Sequence, residues 1–424
     1  MPSPTQSAEV GVPLARMAAW VSERYTGDMS NPPPIPDNDA PFQAPPTRWP
    51  KTAGQTLRGE CERYTHPRVR DIAWLLSAPD LLTLRPYQRP ALEALGLGDD
   101  ITRHRWLSEL EQTPEALESA VDERRHHRLG LYHELLWRFV LAHAPGSRLL
   151  AHNLRIMEGK ITLGELDMLY LAAGDTTPTH LEVAIKFYLG LPQGPGPADG
   201  LERWIGPGGA DSLAIKTRRS LAHQLPLALS ERGQQTIRQA LGLPVSDAAE
   251  ATGDSAPGWL AGQCLAMPGG LFRPWQPETP ADEQLPPPRH CHPSSATQAG
   301  WWVPVSQFAA FCQSLDSTAM DTAPLLGCLR EKPAWLAPPP VQSLTGWREL
   351  QLWLEDYFAP SDGEANPPTG TPRQAPPQHP RQLWLKRAPH RPLDSRHEAS
   401  SQWRVFVVPD GWPHFIPLPP ASPT

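Results

Sequence analysis

Proline occupies 54 of the 424 positions, against a usual share of about 5%. It fixes φ and has no backbone N–H, so helix interiors and central strands exclude it. Regular structure therefore cannot run the length of this chain. The prolines crowd into residues 31–50, 276–300, 360–380 and the tail, which read as extended linkers or disordered insertions. From Leu129 to Pro192 only Pro145, Pro178 and Pro192 itself occur, each at a turn or an end. That window is where regular elements and a site are expected.

The remaining composition narrows the class. Apolar runs fall far short of the roughly 20 residues of a membrane span, and no basic start followed by an apolar stretch marks a signal peptide. Five scattered cysteines without a C-x-x-C pair suit a reducing cytoplasm, the expected location. His290-Cys291-His292 lacks a second ligand pair at zinc-finger spacing. The net charge of −7 says little about partners. Residues 201–240 nevertheless hold six Lys/Arg against three Asp/Glu, and 121–160 hold seven against four. Local positive charge of this kind fits a phosphate-backbone partner.

Apolar spacing predicts one amphipathic helix over 13–26 and another over 69–78, stopped by Pro79. A third starts at Thr113-Pro114-Glu115, with Thr113 as N-cap, and runs to about Ala144. Ser147–Ile156 and Glu165–Ala172 are strand-like. After the turn Gly174–Pro178, His180–Leu189 alternates with period 2, placing Glu182, Ala184, Lys186 and Tyr188 on one face. Asp211–Leu225 is expected to be a helix with a basic face, stopped or kinked by Pro226.

Two strands joined by a short turn form an antiparallel hairpin, on which Asp167 and Glu182 approach one another. Glu134, on the preceding helix, is placed to join them. Converging carboxylates repel unless a cation holds them, and Mg²⁺ wants oxygen ligands and retains several waters, so two or three carboxylates suffice. A nearby lysine orients water and stabilises charge developing on phosphate. Together these parts make a metal-dependent phosphodiesterase site.

The segments SRLLAHNLRI, GELDMLYLAAG and HLEVAIKFYLG resemble the core of the PD-(D/E)xK nuclease superfamily, close to small bacterial relatives of Holliday-junction resolvases. More widely, RLGLYHELLWRFVL, DSLAIKTRRSLAHQLPL, PGGLFRP, GWWVP and WRVFVVPDGWP resemble domain-of-unknown-function family 1853 of proteobacteria. The resemblance implies an α/β fold, a restriction-endonuclease-like mixed sheet core flanked by helices. Together with the proline clusters it divides the chain into a Pro-rich, largely disordered region (1–60), a nuclease-like core (61–272), a Pro-rich insertion (273–300), a C-terminal part (301–359), a linker (360–380) and a strand segment with tail (381–424).

It also implies roles. Asp167 and Glu182 would hold Mg²⁺ or Mn²⁺, with Glu134 assisting. The superfamily's acid-x-Lys is altered here, because Ala184 stands at the lysine position. Lys186 lies on the same face about 6.6 Å further along the strand, and Lys216 on the next helix is the other candidate. Lys216, Arg218, Arg219 and His223 would contact nucleic acid, most plainly DNA. A homodimer is the implied partner state for action on two strands. Two alternatives stay open: a nuclease-fold module that binds nucleic acid without cutting it, and a Pro-rich interaction protein that docks extended segments.

Overall fold

The computed structural model describes residues 46–49, 60–121, 128–243, 260, 262–280, 282–317, 324–359, 378–387 and 402–417. The helix expected over 13–26 lies outside them, as do nearly all of 1–60 and 360–377.

Helix α1 (Pro67–Ser77) begins two residues earlier than expected. Pro67 occupies its first turn, where a missing N–H costs nothing, and extended Ala78 ends it before Pro79. Helix α2 (Asp100–Gln112) is capped by Asp99, whose side chain accepts from Thr102 N at 2.8 Å. The single helix expected from Thr113 is instead two pieces, α3 (Glu115–Ala120) and α4 (Leu129–His143). Thr113 does not cap α3; it closes α2, donating through Oγ1 to Glu109 O at 2.9 Å. Helix α4 ends where expected, because Ala144 is extended ahead of Pro145.

Strands β1 (Arg148–Glu158), β2 (Ile161–Leu171) and β3 (Thr179–Val183) form an antiparallel meander, and β6 (Gly262–Ala266) adds parallel to β3. This is a four-stranded mixed sheet in the order β1-β2-β3-β6. Helix α4 packs on β1, β2 and β3, burying Tyr132, Leu136, Trp137 and Val140.

His180–Leu189 is not the one continuous strand its alternation suggests. It breaks at Ala184-Ile185, and β4 (Lys186–Gly190) belongs to a second sheet. The parallel partner breaks with it, β6 ending at Ala266 and β7 (Gly269–Pro274) resuming beside β4. Pro268 between them cannot donate to a ladder. Gly269 has φ +157°, and a Cβ there would overlap the Lys186 carbonyl oxygen. Gly269→Ala is therefore expected to cost more than about 1 kcal/mol of stability, read as a lower urea midpoint at unchanged slope.

The second sheet has eight strands, ordered β10-β9-β11-β12-β8-β7-β4-β5. Its members are β4, β7, β5 (Trp204–Ile205), β8 (Gly300–Pro304), β9 (Leu325–Arg330), β10 (Thr345–Gly346), β11 (Arg381–Arg387) and β12 (Gln402–Val408). The C-terminal segments are thus structural partners of β4 and β7 within one sheet. Phe187, Phe272, Trp335 and Phe406 pack edge-on and tilted where the layers meet.

The stretch 273–300 is no loose insertion. Leu285, Cys291 and Ala296 are buried. His292 N donates to Leu81 O at 3.1 Å, and Thr83 N donates to His290 O at 2.8 Å. Proline bars a segment from ladders but not from packing. His292 caps the short helix Pro293–Thr297 through Nδ1, and Cys291 sits in the core.

Candidate active site

The antiparallel register continues one step past Met168↔Leu181 to bring Asp167 beside Glu182. Each carboxylate accepts a backbone N–H from the opposite strand. Asp167 N donates to Glu182 Oε1 at 3.4 Å, and Val183 N donates to Asp167 Oδ2 at 2.8 Å. On the other side of Asp167 the register leaves Asn153 of β1, between His152↔Met168 and Leu154↔Leu166. Asn153 has φ +52°, a conformation Asn tolerates better than most residues. Its Nδ2 donates to Glu134 Oε1 and to Glu165 Oε1, both at 2.8 Å. Asn153 thereby ties the helix glutamate to the sheet.

Glu182 is 1% exposed and its oxygens are already engaged. His180 Nε2 donates to Oε1 at 2.9 Å, and His180 Nδ1 accepts from Gln263 Nε2 at 3.3 Å. Gln224 Nε2 donates to Glu182 Oε2 at 2.8 Å, while Gln224 Oε1 accepts from Lys216 Nζ at 2.8 Å. Gln224 reaches this position from a π-turn, Ser220–Gln224, that joins α5 (Leu213–Arg219) to α6 (Leu225–Leu229). Such a turn re-aims side chains and is common at functional sites. The expected kink at Pro226 is this wide turn just before it. Removing the Gln224 amide leaves a buried carboxylate oxygen short of a donor. Gln224→Ala is therefore expected to lose about 1–3 kcal/mol of stability in chemical denaturation.

Asp167 and Glu134 face a cleft of about 600 Å³, with Lys186, Lys216 and Lys332 also on its lining. The cleft lies where the two sheets part, so the break at Ala184-Ile185 is what opens it. Burial raises the Asp167 carboxyl well above the usual range, and the charges of Glu182 and Glu134 push the same way. The Val183 amide and Lys216 oppose this without cancelling it. Burial and Lys186 lower the Lys216 ammonium, while Glu182 and Asp167 pull it back up. Burial and Lys186 also lower Lys332, which stacks 4.7 Å from the centroid of Trp335.

Lys186 does not reach back toward Glu182. Its Nζ lies 2.6 Å from Asp211 Oδ2, on the far wall, where Tyr188 OH also donates to Asp211 at 3.3 Å. The structure thus gathers Glu134, Asp167, Lys186 and Lys216 around one cleft, with Glu182 immediately behind its wall. Arg218 and Arg219, at the end of α5, and His223, on the turn beyond, are exposed and are not on the lining. Arg219 still repels Lys216.

Sequence reasoning missed Asn153, His180, Asp211, Gln224 and Lys332. His180 and Asp211 began recognised elements, which was a usable signal. Nothing local marked Gln224 or Lys332. Among the described residues no three His, Cys, Asp or Glu side chains cluster at metal-ligand spacing. One or two carboxylates with water are nevertheless enough for Mg²⁺. The donors that fit are Asp167, whose Oδ1 has no protein donor among the described residues, and Glu134 on the same lining.

The fold and cleft define an α/β protein of two mixed sheets with a carboxylate–lysine centre at their junction. The chain belongs to a family described as a domain of unknown function, DUF1853, whose model matches residues 70–408. No curated protein and no solved structure matches it. Among the described residues no helix is long and apolar enough to cross a membrane.

Proposed function

We propose that the chain is a metal-dependent nuclease of the PD-(D/E)xK type, cutting phosphodiester bonds in nucleic acid at the Asp167 cleft. One observation carries the reading: a carboxylate held under repulsion by Glu182 and Glu134 opens into a cleft that also presents three lysines. Excess negative charge on one wall suits a cation, and lysines on the lining suit phosphate. The four-stranded mixed sheet with flanking helices is also the kind of core that the superfamily resemblance implies.

A divalent cation bound there would neutralise phosphate oxygens and acidify a coordinated water. The chain's own residues do the rest. Asp167 and Glu134 supply oxygen donors. Glu182 does not open to the cleft; it fixes Asp167 through the backbone and adds charge from behind. Lys216, held by Gln224 close to both acids, takes the lysine role. Lys186, paired with Asp211, and Lys332 contact substrate phosphates.

A second reading has its own observation. Ala184 at the lysine position and the engaged oxygens of Glu182 favour a module that binds nucleic acid without cutting it. The deciding experiment incubates the purified full chain with branched, single-stranded and linear DNA, with Mg²⁺ or Mn²⁺ and with chelator. Cation-dependent cleavage is expected. Salt-dependent binding without cleavage would favour the second reading, and neither binding nor cleavage would overturn both.

A further inference from the structure

Arg404 of β12 is only 6% exposed. Its guanidinium lies 4.5 Å from the ring centroid of Phe187 and 5.1 Å from that of Trp384. Trp384 stands opposite it in the β11–β12 ladder. Gln382, with its amide oxygen turned toward the guanidinium, accepts from Nε at 3.2 Å and Nη2 at 3.3 Å. The other guanidinium protons find no acceptor among the described residues. Among the described residues no carboxylate balances the charge either. Burial and the like charge of Arg330 push Arg404 down to about 9, still far enough above neutrality to leave it cationic.

A buried cation without a counter-charge is among the costliest arrangements in a protein. The flanking rings offset part of that cost, but their quadrupoles do not replace an anion. Beside Arg404 lies a cavity of about 20 Å³, with Trp74, Gly269, Gly270, Ser295 and Trp384 also lining it. Trp384 Nε1 is a buried N–H without a partner among the described residues. Gly270 packs closely on this lining, since a Cβ there would sit 2.9 Å from the Phe272 ring. This volume holds roughly one water-sized body, which excludes phosphate and carboxylate ligands. A water there would leave the charge uncompensated.

We propose that Arg404 and the Trp384 indole N–H hold a chloride-sized monovalent anion in this cavity. The site is separate from the Asp167 cleft and does not depend on the nuclease reading. It lies against β7, the parallel partner of β4: Phe187 of β4 covers the guanidinium, and the preceding residue, Lys186, faces the cleft. The anion therefore braces the bend that positions Lys186.

The probe is bromide. In crystals of the full chain grown in sodium bromide, an anomalous peak is expected in contact with the Arg404 guanidinium. Thermal unfolding is measured in parallel in sodium chloride or bromide against sodium gluconate at equal ionic strength. The wild type is expected to gain roughly 2 °C or more in the halides. Arg404→Met is expected to lose that dependence. Should the variant fail to fold, the bromide peak in the wild type decides alone. A cavity in bromide crystals without anomalous signal, or equal unfolding temperatures for the wild type in halide and gluconate, would overturn the proposal.

Discussion

With Mg²⁺ present, Asp167→Asn is expected to lower DNA cleavage by on the order of 10³-fold or more. In chelator the same variant is expected to unfold at a higher temperature than the wild type. The two results are opposite in sign, which separates a role in the site from a role in the fold. Asparagine keeps the shape and can still accept from Val183 N, so the hairpin is preserved. What it removes is a charge that the folded state disfavours, through burial and then through Glu182 and Glu134.

The pH dependence follows by linkage. Asp167 binds its proton more tightly folded than unfolded, so between the two pKa values the native state carries more protons. Stability then falls as pH rises from the ordinary carboxylate range through the raised folded value. The asparagine variant lacks that fall. The gap between the proteins should close in acid, widen toward neutrality and beyond, and shrink again when Mg²⁺ stabilises the wild type. Unchanged cleavage by the variant, or a gap indifferent to pH and Mg²⁺, would count against Asp167 as the centre.

The hairpin site was largely legible in the sequence. A short turn between two apolar runs fixes an antiparallel register, and register alone brings Asp167 to Glu182. The helix carrying Glu134 was legible from its apolar spacing and from Pro145 beyond its end. The break at Ala184-Ile185 was not. Period-2 alternation is the same whether a strand stays in one sheet or crosses into the next. Here the difference is made by Pro268 and Gly269, far along the chain. For the same reason Lys186 was expected near Glu182, whereas the bend turns it to Asp211. Gln224 was invisible because a π-turn is a matter of backbone hydrogen bonding, not of residue type. The stretch 276–300 misled for a different reason. Its prolines reported the lack of ladders, but Leu285 and Cys291 reported burial, and burial is what orders the segment.

Lys216→Met is expected to reduce cation-dependent cleavage by about 10²–10³-fold, and Lys186→Met by distinctly less. The ammonium of Lys186 is spent on Asp211 at 2.6 Å, so its loss weakens substrate contact and should appear mainly in KM. Lys216 is tied through Gln224 to Glu182 and is attracted by both acids, so its loss should appear in kcat. Burial and Lys186 lower the Lys216 ammonium, and methionine keeps the aliphatic stem while removing that disfavoured charge. Folding should therefore survive the substitution. If Lys216 acts as a cation, wild-type activity should fall as pH rises through its lowered pKa. Lys216→Arg, which does not deprotonate in this range, should carry that fall to higher pH while retaining part of the rate. Equal losses in the two methionine variants, or a larger loss at Lys186, would return the lysine role to β4. The alkaline limb would then have to be unmoved in Lys216→Arg. Conserving the charge at Lys216 thus separates a migrated catalytic lysine from a merely neighbouring one, which deletion alone cannot do.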